Sequence, residues 1–85
     1  MNKIYVKADV FFDEYGRMMP QRLIWEDGRK FKIDRVTDIR ASAAMRIGSQ
    51  RDRYTISLCG QERYLFFERS TNLSCNIIGR WFVEK

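Results

Sequence analysis

Apolar residues occupy every second position through long stretches of this 85-residue sequence, and this alternation limits its fold more than any other feature. From residue 3 to residue 12, one parity is entirely apolar: Ile4, Val6, Ala8, Val10 and Phe12. Successive side chains of a β-strand point to opposite faces, so the pattern predicts a half-buried strand. The same rhythm predicts further strands over about 18–26, from residue 30, and over 53–58, 62–68 and 80–84.

Two glycine signals mark tight turns between these strands. Asp27-Gly28 predicts a type I′ hairpin turn, in which both central residues need positive φ. Gly60-Gln61 predicts the turn between the fourth and fifth strands. After Ile33 the apolar residues are spaced by three, which favours a bulge or bend near Asp34-Arg35, or one turn of helix.

Five or six short strands joined by turns predict an all-β fold, and 85 residues favour one small domain spanning 1–85. We expect an antiparallel barrel of SH3-like or OB-like type, because closing the sheet removes the exposed edges of a flat one. Segment 41–50 has helix-forming composition but is too short for an independent helix. The barrel is therefore expected to contain at most one helical turn.

Three aromatic doublets place one ring each on the outside of such a sheet: Phe11-Phe12, Phe66-Phe67 and Trp81-Phe82. Two explanations remain open. Segments 41–50 and 69–79 could cover the outward rings as a second small core, or the rings could form an exposed patch for stacking or for a protein interface. If the first and fifth strands are neighbours, the patch consists of Tyr5, Phe11, Tyr64 and Phe66.

The net charge of +5 arises from residues 29–53, which hold eight basic residues against three acidic ones. The full chain has eleven arginines and five lysines. Because guanidinium groups bind phosphate bidentately and stack on bases, this bias favours nucleic acid as a partner. The candidate phosphate-binding residues are Arg40, Arg46, Arg51, Arg53, Lys30 and Lys32. An ordinary solvated surface and an acidic protein partner are the alternatives.

Several kinds of chemistry are missing from the sequence. No histidine is present, no glycine-rich phosphate loop occurs, and the serines have no partner base. Cys59 and Cys75 do not make a zinc site without histidine. We therefore expect a protein that is not an enzyme and that uses no metal, no cofactor and no small-molecule substrate.

No apolar run has the length of a signal-peptide core or of a membrane span. The two cysteines are therefore expected to be reduced thiols rather than a disulfide. These features predict a cytoplasmic protein with no membrane partner.

A motif with a W-x-x-G-R turn runs as Pro20-x-x-Leu23-x-Trp25-x-x-Gly28-Arg29-x-Phe31-x-Ile33, and the chain closes with Gly79-Arg80-Trp81-Phe82-Val83. This combination resembles small bacterial β-barrel proteins and domains of unknown function. The resemblance implies a small curled sheet or barrel with a tryptophan in its closing strand. It implies no catalytic residue.

The sequence as a whole predicts a non-enzymatic binding module that holds nucleic acid through a basic hairpin, 29–53, beside outward aromatic rings. The alternative is a protein-interaction or homodimerisation domain, in which another chain buries those rings. A small accessory or inhibitor protein of a phage or mobile element also fits the length of the chain.

Overall fold

The computed structural model describes residues 2–41, 51–70 and 78–84. These residues contain seven strands and no helix: β1 (Lys3–Phe12), β2 (Met18–Ile24), β3 (Lys30–Lys32), β4 (Arg35–Ala41), β5 (Arg51–Leu58), β6 (Gln61–Arg69) and β7 (Gly79–Glu84). All paired strands are antiparallel, and the sheet order is β3-β2-β1-β7-β6-β5-β4. The predicted all-β class is confirmed.

The sheet curls into an open half-barrel of seven strands, so the predicted number of five or six strands is wrong. The extra strand arises because the third predicted strand divides at Ile33-Asp34. The Ile33 N–H donates a hydrogen bond to the Gln21 carbonyl on β2 (3.0 Å), and the Asp34 N–H donates to the Ser57 carbonyl on β5 (2.8 Å). At this bend the chain therefore passes from β3, at one end of the sheet order, to β4, at the other end.

A bulge in β4 explains the three-residue spacing of its apolar side chains. Val36 and Ile39 lie opposite Ile56 and Tyr54, which both belong to the inward-facing parity of β5. Thr37 is the extra residue that makes this possible, because the register between β4 and β5 shifts at that point. This stretch contains no helical turn.

The inner face of the half-barrel carries the main hydrophobic core. Its buried residues are Leu23, Ile33, Tyr54, Ile56, Leu65, Phe67 and Trp81. The centroid of the Trp81 ring lies 4.9 Å from that of Phe67 and 5.0 Å from that of Tyr54. The Tyr54 hydroxyl donates to the Met18 carbonyl at 2.9 Å, and burial raises the pKa of this phenol. Burial of each large side chain contributes about 1.5–3 kcal/mol, so this cluster holds the inner face together.

The last residues of β1 leave the core. β1 pairs with β7 over Lys3–Val6 and with β2 from Lys7 onward, and the β1–β2 register shifts after Asp9. Val10 and Phe12, which the alternation places inward, are consequently 37% and 65% exposed. The period of two therefore predicts the strand correctly but not the side to which its last residues turn.

The β2–β3 loop is a three-residue hairpin loop. The Trp25 N–H donates to the Arg29 carbonyl (2.8 Å), and the Gly28 N–H donates to the Trp25 carbonyl (2.9 Å). Gly28 has φ +90°, whereas Asp27 does not have a positive φ. The type I′ turn predicted at Asp27-Gly28 is therefore wrong, because the loop is one residue longer and ends in a glycine bulge. Positive φ at both central residues occurs instead at Cys59-Gly60 (50° and 77°).

Gly28→Val is expected to lower the free energy of unfolding by more than ~1 kcal/mol, because a β-branched residue resists positive φ. A Cβ at this position meets no atom within 4 Å, so the cost comes from backbone conformation and not from a clash. Gly28→Asn is the matched control, and its cost is expected to be smaller because asparagine tolerates this conformation. Urea unfolding measures both variants, and wild-type stability in the valine variant would contradict this loop geometry.

Candidate nucleic-acid interface

The outward-facing side chains of β1, β7, β6, β5 and β4 form one surface, termed the outer face. It is defined by Lys3, Tyr5, Arg40, Arg51, Arg53, Tyr64, Phe66, Glu68, Arg80 and Phe82. The strand register aligns one row of opposed residues across it, in the order Tyr5, Phe82, Phe66, Arg53 and Arg40. The row begins with three aromatic rings and ends with two arginines.

The outward rings of the two C-terminal doublets are buried. Phe66 and Phe82 are 8% and 0% exposed, and their rings stack with centroids 5.1 Å apart and planes inclined by 13°. Tyr5 meets Phe82 edge to face at 5.8 Å. Such ring pairs contribute about 0.5–1.5 kcal/mol beyond the area they bury. The three rings therefore form a second aromatic cluster behind the main core. The two segments that could cover the outward rings, 41–50 and 69–79, lie mostly outside the described residues.

The expectation that the first and fifth predicted strands are neighbours is wrong, because β7 lies between β1 and β6. Tyr5 and Phe66 are consequently joined through Phe82 rather than by direct pairing. Phe11 lies apart from them, opposite Met19 of β2, and is 45% exposed. The four predicted stacking residues therefore do not form a single patch.

Each aromatic side chain of the outer face has a cation over its ring. The distances from cation to ring centroid are 4.9 Å for Lys3 and Phe82, 5.2 Å for Arg51 and Phe66, 4.8 Å for Arg53 and Tyr64, and 3.5 Å for Arg80 and Tyr5. A cation in this position is attracted by the negative face of the ring, by about 0.5–1 kcal/mol where the pair is exposed. The outer face is thus a layer of cations resting on a layer of rings.

Carboxylates hold two of the outer cations. Glu68 accepts a hydrogen bond from Lys3 Nζ (2.7 Å) and another from the Tyr5 hydroxyl (3.1 Å). The bond from Lys3 is the main cause that lowers the pKa of Glu68, and it raises the pKa of Lys3 in turn. Arg40 Nε donates to Asp38 at 2.9 Å, and this bond lowers the pKa of Asp38.

Arg53 differs from these cations because no carboxylate of a described residue pairs with it. Its Nε is buried and has no hydrogen-bond partner among the described residues, and its guanidinium group lies over the Tyr64 ring. Tyr64 itself is 50% exposed. A guanidinium without an ion pair to a described carboxylate, attracted at longer range by Asp38, therefore lies over a half-exposed aromatic ring. Arg80 likewise forms no ion pair with a described residue, and Arg51 reaches Glu84 only at 3.8 Å.

The remaining predicted phosphate ligands do not join this surface. Lys30 and Lys32 lie on β3, which pairs with β2 at the opposite end of the sheet order from β4. Segment 29–53 is therefore not one basic hairpin, because only its second part, β4 with β5, forms a hairpin. Arg46 lies outside the described residues. Of the six candidates, Arg40, Arg51 and Arg53 reach the outer face.

Sequence reasoning missed four members of the outer face: Lys3, Glu68, Arg80 and Phe82. The alternation of apolar and polar residues shows on which face of β1, β6 or β7 each of them lies. Their meeting depends on the insertion of β7 between β1 and β6, which no local pattern encodes.

Two kinds of site are not found within 2–41, 51–70 and 78–84. No group of three or more histidine, cysteine or carboxylate side chains in these residues could hold a metal ion. No helix long and apolar enough to cross a membrane occurs in the same residues.

No protein-family model, no curated protein and no solved structure matches this chain. The resemblance carried by the W-x-x-G-R motif therefore stays a prediction.

The Glu68 contacts predict a specific loss of stability in acid. A carboxyl whose pKa is lowered by folding stabilises the folded state above its unfolded pKa, near 4.5, and this contribution disappears as the pH falls through the folded pKa. Glu68→Gln is therefore expected to show a shallower decrease of unfolding free energy between about pH 5 and pH 3 than the wild type. Urea titrations across this range measure the difference.

Glu62→Gln is the matched control, because Glu62 lies on the same strand and pairs with no described cation. Its unfolding free energy is expected to decrease between about pH 5 and pH 3 as that of the wild type does. If the unfolding free energies of Glu68→Gln and the wild type decrease equally over this pH range, the Lys3 and Tyr5 contacts contribute nothing to stability in solution.

Proposed function

We propose that this protein is a non-enzymatic module that binds single-stranded nucleic acid across its outer face. The observation that carries the proposal is the pair formed by Arg53 and Tyr64. The guanidinium lies 4.8 Å from the ring centroid, no carboxylate of a described residue forms an ion pair with it, and the ring is half exposed. A base stacked on Tyr64 would bring its phosphate within reach of Arg53.

The chemistry of the outer face favours single strands over duplexes. Stacking on an aromatic side chain needs an unpaired base, and it gives about 1–3 kcal/mol per base with little dependence on sequence. A duplex offers its bases only at their edges, in the grooves. Tyr64 lies within strand β6 of the sheet and is half exposed, and the described residues include no helix that could enter a groove.

Three cations on this surface can take phosphates at little cost: Arg51, Arg53 and Arg80. Among the described residues, Arg53 and Arg80 have no ion pair to break, and Arg51 holds only the long contact to Glu84. Lys3 and Arg40 would first have to leave Glu68 and Asp38. We accordingly assign the phosphate contacts to the first three and the positioning of the aromatic layer to Lys3.

The proposal also includes the specific fold type of the half-barrel. We propose an SH3-like or OB-like arrangement, in which one bent segment, 30–41, serves both ends of the sheet. In OB-folds an exposed sheet face binds oligonucleotides, and the outer face supplies a surface of that kind.

Fluorescence anisotropy with a labelled oligothymidine tests the proposal. Three phosphate contacts on a single strand predict a slope of about −2 in a log–log plot of affinity against salt, or a loss of roughly fifteenfold between about 50 and 200 mM. Tyr64→Ala is expected to weaken binding by roughly tenfold or more, whereas Tyr64→Phe keeps the ring and most of the affinity. Arg53→Gln is expected to make the salt slope shallower by about 0.7.

Arg63→Gln is the matched control for charge, because Arg63 lies on β6 beside Tyr64 but has the opposite parity. It removes one positive charge from the same strand, and its affinity is expected to stay within about twofold of the wild type. Undetectable binding, binding that does not respond to salt, or an equal loss in Arg63→Gln and Arg53→Gln would overturn the proposal.

A further inference from the structure

A cleft of about 770 Å³ opens beside the outer face where β1 parts from β7, and it is termed the β1–β7 cleft. Among the described residues, β1 pairs with β7 only as far as Val6 and Trp81, and from Lys7 onward β1 pairs with β2. The volume lies in the range of ligand sites, about 300–1,000 Å³. The lining includes Tyr5, Lys7, Trp25, Glu26, Arg80 and Trp81.

The pair formed by Tyr5 and Arg80 connects this cleft to the outer face. The guanidinium carbon of Arg80 lies 3.5 Å from the centre of the Tyr5 ring, whereas the other three cation–ring distances of the outer face are 4.8 to 5.2 Å. Because 3.5 Å is an ordinary contact distance between two carbon atoms, no nitrogen fits between them and the guanidinium lies nearly flat on the ring. Tyr5 also packs against Phe82, and Arg80 is exposed, so the far side of the guanidinium plane is what this pair presents to a ligand.

The charged groups of the β1–β7 cleft are only partly neutralised within the chain. Lys7, Glu26 and Arg80 form no ion pair with a described residue, so two cations stand against one carboxylate. Asp9, which also lines the cleft, pairs with Arg22 at 2.7 Å. The cleft therefore offers positive charge to a phosphate, and both donors and an acceptor to the polar edge of a base.

A second cleft of similar size, about 780 Å³ between β2 and β4, differs in this respect. All of its charged lining residues belong to ion pairs, which are Arg17 with Asp13, Asp38 with Arg40, and Asp52 with Arg69. A phosphate at that cleft would have to compete with a carboxylate for its cation. The β1–β7 cleft is therefore the better candidate for a nucleotide.

We propose that the β1–β7 cleft holds a second unpaired base of the strand that occupies Arg53 and Tyr64, and that this base stacks on the Arg80 guanidinium. The inference rests on the proposed function and adds to it a second base site at a defined distance from the first. Bases stack on guanidinium planes as they do on aromatic rings. The N–H groups at the edge of the Arg80 plane stay available for a neighbouring phosphate.

The strand register sets the distance between the two base sites. Tyr5 lies opposite Phe82, which lies opposite Phe66, and Tyr64 precedes Phe66 by two residues on β6. Two strand spacings of about 4.8 Å and two residues of about 3.4 Å place Tyr5 and Tyr64 about 12 Å apart. Stacked nucleotides advance about 3.4 Å per step, and stretched ones advance further, so about one to three nucleotides separate the two bound bases.

DNA strands that carry only two bases measure this spacing. Each strand is fluorescein-labelled, has one fixed length of about ten nucleotides, and consists of abasic sugars except for two thymines. The number of abasic positions between the thymines runs from zero to six, so all strands have the same phosphates. By fluorescence anisotropy, the wild-type affinity is expected to peak at about one to three intervening positions, about tenfold above the adjacent and widest spacings.

Arg80→Lys keeps the charge but removes the planar surface, so its affinity is expected to vary by less than about twofold with spacing. Arg51→Lys is the matched control, because Arg51 is another cation over an outer ring but lies 5.2 Å from its centre. Its affinity is expected to peak as that of the wild type does. Circular dichroism verifies folding, and if Arg80→Lys does not fold, Tyr64→Ala tests the spacing dependence from the first base site.

Tryptophan emission gives a second readout, because both tryptophans of the chain, Trp25 and Trp81, line the cleft. The best-spaced strand is expected to change this emission in the wild type and not in Arg80→Lys. Affinity that does not depend on spacing, an equal peak in the wild type and Arg80→Lys, or unchanged emission at saturation would overturn the inference and leave the proposed function standing. If oligothymidine does not bind either, both are overturned.

Discussion

The pairing of β7 with both β1 and β6 is the interaction on which both layers of this structure depend. β7 contributes Trp81 to the inner core, where its ring lies 4.9 Å from Phe67, and it contributes Phe82 to the outer cluster, where its ring stacks 5.1 Å from Phe66. Consecutive residues of one strand thus anchor opposite faces of the sheet. Gly79 at the start of the strand permits the close approach, because a Cβ there would collide with the Phe67 ring.

This arrangement accounts for the aromatic doublets without a large exposed patch. In Phe66-Phe67 and Trp81-Phe82, one ring enters each layer, and cations cover the outer rings. Phe11-Phe12 behaves differently because β1 has parted from β7 at that point and no described strand replaces it. The same residue pattern is therefore buried where two neighbouring strands flank it and exposed where only one does.

The sequence predicted the elements of the fold better than their arrangement. Alternation located β1 at Lys3–Phe12 without error, since period two depends only on neighbours in the chain. The Asp27-Gly28 signal marked a real hairpin but the wrong loop length, because the closing bond between Trp25 and Arg29 is not encoded in two residues. Strand order depends on contacts between distant segments. Local patterns therefore could not predict that β7 lies between β1 and β6, or that Phe82 packs against Tyr5 and Phe66.

The candidate site shows why counting charges along a sequence is an incomplete guide to a binding surface. Residues 29–53 hold the whole net charge of +5, yet Lys30 and Lys32 lie on a different part of the sheet, and Arg40 is already paired with Asp38. A cation that already holds a carboxylate must give up that contact before it can bind a phosphate. On the proposed binding surface, the cations best suited to phosphates are therefore those that lack an ion pair to a described residue and lie beside an accessible ring. Arg53 above the half-exposed ring of Tyr64 satisfies both conditions at a single position.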